Sequence, residues 1–237
     1  MVGGGKKQAE SPPMTRLLLF ASAAYLTLAS IANAATVTIG LQQAGVNGGA
    51  ITAVASGNGS AQIGNLPYGT FTSNTVDGTG RPILPLPDIL DSSSLNVTSD
   101  GAGVLRVYVT SQNNTDVSNV WLSSFTTNRL TAGWSVMEQT FLDPNNGLFS
   151  TAIALGGAVF NSIGTSAAAV IAASGGNYSV THLYTIIATG VGVANSTINL
   201  STPIPGALPL FATGLLGLWA LRRKRKNTTP ENLDAVA

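Results

Sequence analysis

The sequence predicts an all-β fold: an antiparallel β-sandwich of jelly-roll-like type, as an ectodomain between an N-terminal signal helix and one C-terminal transmembrane helix. Three observations predict it. Short runs rich in Val, Ile, Thr and aromatic residues recur through the middle of the chain, punctuated by Gly, Asn, Asp and Pro. Charge is sparse in that middle. Both ends are apolar segments beside basic residues, unlike the polar body between them. The domains follow as 1–34 signal peptide, 35–200 sandwich, 201–226 sorting or anchoring segment, and 227–237 disordered tail.

Within the body the expected strands are Thr36–Leu41, Ala50–Ala55, Tyr68–Thr72, Val104–Thr110, Val120–Phe125, Trp134–Phe141, Phe149–Phe160 and Tyr178–Thr189. The last alternates most cleanly. Tyr178, Val180, His182, Tyr184 and Ile186 share one face, and Ser179, Thr181, Leu183, Thr185 and Ile187 the other, the period of a strand with one buried side. In Val104–Val109 the pattern is less even, with Arg106 on the face of Val104 and Tyr108. Ala167–Ala173 (AAAVIAA) has the composition of a short helix, but flanking glycines and the surrounding β-pattern favour a strand.

Turn chemistry supports the same fold. Asp143-Pro144-Asn145-Asn146-Gly147 places proline early and glycine late between two apolar runs, as a hairpin loop does. Asn47-Gly48, Asp77-Gly78 and Asp100-Gly101 are expected at other reversals. Arg81–Asp91 (RPILPLPDILD) is too proline-rich for a central strand and is expected to cross between sheets.

Composition excludes several functions. Between Ala35 and Leu200 the basic residues are Arg81, Arg106 and Arg129, with no lysine. Seven carboxylates (Asp77, Asp88, Asp91, Asp100, Asp116, Asp143, Glu138) make the net charge 3 − 7 = −4. A mildly acidic, lysine-free body is a poor match for a phosphate backbone, so no nucleic-acid partner is expected. The absence of cysteine removes thiol catalysis, thiolate metal sites and iron–sulfur ligation.

At the N-terminus Arg16 precedes the apolar run Leu17–Leu28, and Ala32-Asn33-Ala34 follows. Charged n-region, short h-region and A-x-A site form the order of a secretion signal. The cut is expected between Ala34 and Ala35, with Ala32, Ala34 and Ala35 forming the signal-peptidase site and the Sec machinery as the export partner. The apolar run is shorter than the ~20 residues that span a bilayer stably. Translation from Met14 rather than Met1 gives the same signal.

At the C-terminus residues 206–221 (GALPLFATGLLGLWAL) carry no charge, and Arg222-Arg223-Lys224-Arg225-Lys226 follows at once. As a helix the run is ~24 Å long at 1.5 Å per residue. Arginine stems snorkelling into the apolar layer, together with local thinning, bring it to membrane thickness. The basic cluster should stay cytoplasmic, which leaves the body outside. Upstream, Ser201-Thr202-Pro203-Ile204-Pro205 reads as an extended spacer, because each proline fixes its own φ and restrains its predecessor.

The order of proline pair, short glycine-containing apolar helix and arginine-rich end, over 202–226, resembles the PEP-CTERM sorting signal. Ile204 stands where that family's usual Pro-Glu-Pro has glutamate, and PIPGALPLF looks closer to its VPLPA-type variant. The resemblance implies recognition by an exosortase, a membrane-embedded transpeptidase, with recognition roles for Pro203 and Pro205 and a basic stop at Arg222 and Arg223. A plain, unprocessed membrane anchor satisfies the same hydropathy. Gly133–Pro144 and Tyr178–Ile186 also look like stretches shared among the domains that precede such tails, which have no common assigned activity.

Groups able to do chemistry are sparse. His182 is the only histidine, set on the apolar face of a strand, where a half-buried, hydrogen-bonded imidazole is the usual outcome. No G-x-S-x-G elbow accompanies it; Gly57-Asn58-Gly59-Ser60 does not fit one. Glu138 paired with Asp88 or Asp91 would be needed for glycoside hydrolysis. Asp143–Gly147 lacks the alternate-residue acids of a dedicated calcium loop. Trp121 and Trp134 would form a sugar-binding platform if exposed, although strand tryptophans in a sandwich are more often core anchors. No catalytic residue, metal or cofactor is therefore assigned. The expected role is an exported, exosortase-sorted structural or interaction protein of the cell surface or extracellular matrix, with exopolysaccharide as candidate partner. The alternative is a secreted carbohydrate-binding module.

Overall fold

A computed structural model of the chain describes residues 34–203, and within them twelve strands form two six-stranded antiparallel sheets. In chain order they begin with β1 (Thr36–Gln43), β2 (Thr52–Asn58), β3 (Ser60–Tyr68) and β4 (Phe71–Gly80). Next come β5 (Asp88–Ser99), β6 (Ala102–Asn114), β7 (Val120–Leu130) and β8 (Ser135–Asp143). The last four are β9 (Ile153–Phe160), β10 (Gly164–Ile171), β11 (Tyr178–Thr189) and β12 (Gly192–Ser201). The first sheet runs β2-β1-β6-β11-β8-β9 and the second β10-β7-β12-β5-β4-β3. Apart from one 3-10 turn at Asn47–Gly49 the described residues contain no helix. The all-β sandwich expected from the sequence is what forms. The signal helix and the transmembrane helix fall outside the described residues.

The sandwich closes because each sheet offers a largely apolar face. From the first sheet come Val37, Ile39, Leu41, Leu105, Val107, Val109, Val136, Leu142, Val180 and Ile186. Facing them are Ile63, Phe71, Val76, Leu95, Val97, Phe125, Ile198 and Leu200 of the second. Both sides are sealed by strand pairs that cross from sheet to sheet, β2 to β3 through Gly59 and β9 to β10. The core lies wholly inside the body. That body runs slightly further than 35–200: Ser201 still pairs in β12, and the Thr202 N–H donates to the Pro87 carbonyl at 2.9 Å.

Four local expectations are corrected. Arg81–Asp91 does not cross between sheets. Residues 81–87 link β4 to its neighbour β5 in one sheet, and Asp88–Asp91 already belong to β5. Arg81 ties that link to the β6–β7 loop by an ion pair with Asp116 at 3.1 Å. Asp77-Gly78 is no turn but the middle of β4; a Cβ on Gly78 would overlap Val109 and Val37 of the opposite sheet, so the glycine permits close sheet approach. Tyr68–Thr72 is not one strand, since the chain reverses at Gly69, whose φ is +64°. The expected strand at 149–160 also starts late, at Ile153.

The β8–β9 connection, residues 144–152, folds back over the outer face of the first sheet as a strap. Gln112 Nε2 donates to the Asn146 carbonyl (2.8 Å), the Asn113 N–H to Asn146 Oδ1 (2.8 Å), and Ser179 Oγ to the Gly147 carbonyl (2.7 Å). Phe149 sits at φ +55°, a costly region for a bulky residue. Its ring packs on Ile51, Tyr108, Phe141 and Leu183 as a second small apolar cluster, with the Tyr108 centroid at 5.7 Å. Gly40 makes room: a Cβ there would lie 2.6 Å from Phe149 Cζ and 2.9 Å from Ile51 Cγ2. Gly40→Val is therefore expected to cost about 1–3 kcal/mol and to open the strap to chymotrypsin at Leu148–Phe149. Digestion as slow as that of the native protein would show that the strap does not depend on this contact.

Candidate functional site

The residues singled out for chemistry go to the interior. Trp121 on β7 is 0 % exposed and Trp134 is 2 % exposed. The Trp121 indole Nε1 donates to the Ala172 carbonyl at 2.7 Å, and its ring meets Tyr178 edge-on at 5.7 Å. Neither tryptophan can stack on a sugar. The other described aromatics are engaged too: Tyr68, Tyr108, Tyr178, Tyr184, Phe71, Phe125, Phe141 and Phe160 are buried, and Phe149, in the strap, is half-buried against Tyr108, Phe141 and Leu183.

His182 is fully buried, not half-buried. Its Nδ1 lies 2.8 Å from Ser92 Oγ on the opposite sheet, while Nε2 has no partner among the described residues. That geometry assigns the proton to Nδ1, because an orphaned N–H costs more in an apolar interior than an orphaned lone pair. The Tyr184 hydroxyl donates to the Ser92 carbonyl at 3.0 Å and lies 2.6 Å from Ser92 Oγ. Burial lowers the imidazole to about 3, so at neutral pH it is uncharged.

Glu138 is 0 % exposed on the inner face of β8. Its Oε2 accepts from the Thr126 N–H (3.0 Å) and Oε1 from Thr127 Oγ1 (2.9 Å). Burial raises its carboxyl to about 7, against the pull of those hydrogen bonds. Ser123 Oγ and Thr140 Oγ1 pair beside it at 2.7 Å. The interior thus holds a band of polar side chains joining the sheets. Glu138 is sealed from any substrate, so the pairings with Asp88 or Asp91 that glycoside hydrolysis would need are not assembled. Asp91 does have a raised carboxyl, at about 6, from partial burial and then from Asp77 and Asp88.

The Asp143 loop is a turn built by its own carboxylate. The N–H groups of Asn145 (2.8 Å) and Gly147 (3.2 Å) donate to its two oxygens, and these bonds hold the carboxyl below its usual range. Of the sorting-signal residues only Pro203 is described, as an exposed non-strand residue after β12. Pro205, Arg222 and Arg223 lie outside the described residues, as does Ala32. Ala34 is exposed and Ala35 buried, its N–H donating to the Arg81 carbonyl at 2.9 Å.

What the fold does present is a groove that no local motif announces. On the outer face of the second sheet, register places Asn96 (β5) opposite Asn195 (β12), and Asn195 opposite Arg129 (β7). Asn74 on β4 extends the row, its Nδ2 lying 3.4 Å from Asn96 Oδ1 and 3.5 Å from Thr98 Oγ1. Strands sit ~4.8 Å apart, so three amides and a guanidinium follow one another at that spacing. The β5–β6 turn with Asp100 and the β11–β12 turn with Val191, 75 % exposed, form its wall. The groove encloses about 540 Å³. Arg129 has no ion pair among the described residues.

No protein-family model matches the chain, and no curated protein matches it. Solved structures do match. One is the carbohydrate-binding module TmCBM61 in complex with β-1,4-galactotriose, 6 % identical, covering 61 % of this chain and 83 % of its own, with a TM-score of 0.30. Another is the C-terminal CBM6 of LamC, a marine laminarinase from Zobellia galactanivorans, 13 % identical, covering 60 % of this chain and 99 % of its own, with a TM-score of 0.29. TM-scores this far below 0.5 carry nothing about ligand or role.

Proposed function

We propose that this chain is an exported, non-catalytic protein of the cell surface or extracellular matrix, delivered by its N-terminal segment and sorted through its C-terminal tail by an exosortase-type enzyme. One observation carries the non-catalytic part. His182, the only histidine, and Glu138, the carboxylate raised furthest, are both 0 % exposed between the sheets, and catalysis needs such groups within hydrogen-bond reach of a substrate. Among the described residues no three acidic or histidine side chains group as a metal site.

Export is supported by the charged, apolar and A-x-A order before Ala35. Sorting is supported by Pro203-Ile204-Pro205, the uncharged run 206–221 and the basic cluster beginning at Arg222. Pro203 is exposed directly after the last strand, where an enzyme acting on the tail would not have to unfold the sandwich.

Mass spectrometry of both termini in membrane and matrix fractions tests this reading. The expected product starts at Ala35, and in the matrix ends near Pro205. Intact Lys226 in every fraction would replace sorting with plain anchoring. A cytosolic chain still bearing Met1 or Met14 would overturn export itself.

A further inference from the structure

The groove on the second sheet brings polar side chains of β4, β5 and β7 around one open space. We infer that it binds a neutral polysaccharide chain lying across the strands, with Asn74, Asn96 and Arg129 of its lining as contacts and Asn195 between the last two in register. This rests on the reading of the body as displayed outside the cell.

The chemistry selects the ligand class. Sugar hydroxyls both donate and accept, and each amide offers one acceptor oxygen and two N–H donors. Asn74 spends its donors on long contacts to Asn96 and Thr98, while no hydrogen bond among the described residues uses Asn96 Nδ2. Arg129 adds a planar set of donors at one end, and Asp100 an acceptor at the wall. Val191 and Val193 supply the aliphatic surface on which the C–H face of a sugar ring rests. A chain crossing the strands meets a polar side chain every ~4.8 Å, so the sheet repeat itself spaces the contacts.

Charge decides between neutral and acidic glycans. Asp77, Asp88 and Asp91 lie on the same sheet, close enough that the first two raise the third. Asp100 stands in the groove, and the body carries −4 overall. A uronate or sulfated chain would meet repulsion along that sheet, with Arg129 alone to offset it in the row. A neutral chain meets none. With no exposed aromatic to stack on, affinity per site should be weak, about millimolar, and retention would come from many copies on one surface.

The test uses the full chain in zwitterionic detergent, binding to immobilised hydroxyethyl cellulose and dextran as neutral polymers and to alginate as an acidic one, by biolayer interferometry. At least one neutral polymer should retain the protein, with little change between about 0.05 and 0.5 M salt. Arg129→Ala and Asn96→Ala should each weaken retention at least ~5-fold while keeping the native melting temperature; Arg106→Ala, on the other sheet, should leave it unchanged. No retention by either neutral polymer, equal retention by all variants, or a salt-sensitive preference for alginate would each overturn the assignment. If the termini prove unprocessed and cytosolic while neutral binding persists, the display reading falls and the groove stands. Processed termini with no neutral binding remove the groove alone.

Discussion

Trp121→Ala is expected to lower the unfolding free energy of the sandwich by about 3–5 kcal/mol, the largest single loss in the body. The side chain is completely buried, ties β7 to the segment after β10 through the Ala172 carbonyl, and packs edge-on against Tyr178 of the other sheet. Truncation removes the apolar contact, leaves a cavity and takes the indole donor from the part-buried Ala172 carbonyl. A domain of this size is stable by about 5–15 kcal/mol, so the variant should unfold at much lower urea. Trp121→Phe separates the terms: it keeps most of the ring packing and loses the indole hydrogen bond, for about 1–2 kcal/mol. Urea titrations followed by far-ultraviolet circular dichroism read both. A near-neutral Trp121→Ala would contradict a core role and reopen the exposed-platform expectation.

The second large effect is a pH dependence hidden by compensation. Glu138 is raised from its usual 4.5 to about 7 in the folded state. Its favourable contribution is complete below pH 4.5 and drains away as the pH rises to about 7, where a buried carboxylate must exist. The loss is about 3 kcal/mol, at 1.36 kcal/mol per pKa unit. His182 runs the other way. It is lowered from 6.5 to about 3, so its contribution is complete above pH 6.5 and is lost as the pH falls toward 3. Between about pH 4.5 and 6.5 the two slopes oppose each other and the wild-type curve should be nearly flat; half-buried Asp91, raised to about 6, adds a smaller slope of the Glu138 sign, discounted by solvent screening. Glu138→Gln keeps an acceptor for the Thr126 N–H and, without the charge, reverses the Thr127 contact, its Nε2 donating to Thr127 Oγ1. It should stabilise the body by about 2 kcal/mol at pH 8, roughly 4–8 °C in melting temperature. At pH 4 it should have no effect, and the unmasked histidine slope should make stability rise steadily from pH 4 to 6.5. Equal melting temperatures for the two proteins at pH 8 would show that the carboxylate is not confined as the structure has it.

How far the fold was readable depended on what filled the inner face of each strand. β11 was legible in its bounds, Tyr178–Thr189, although both of its faces are buried as far as Ile186. Ala167–Ala173 was rightly read as a strand, β10 covering Gly164–Ile171. Strands β3, β5 and β12, and all but the first two residues of β4, were missed. Their outer positions are Ser, Thr, Asn, Gln and Asp, and some inner ones are hydroxyl residues too: Ser92, Ser99 and Ser196 are buried. That flattens the hydropathy contrast on which a period-two reading relies. Gly78 misled in the opposite sense, because glycine marks a turn and a close sheet contact with the same letter.

Composition alone already decided that the body is β-rich, cysteine-free and acidic, because those properties are sums over residues and need no partner in space. Which side chains reach water was decided only by the packing of the two sheets. That packing took Trp121, Trp134, His182 and Glu138 inside, and turned Asn74, Asn96, Asn195 and Arg129 outward into one row. These four are far apart along the chain. Strand order and register, set by burying the opposite face, are what place them side by side.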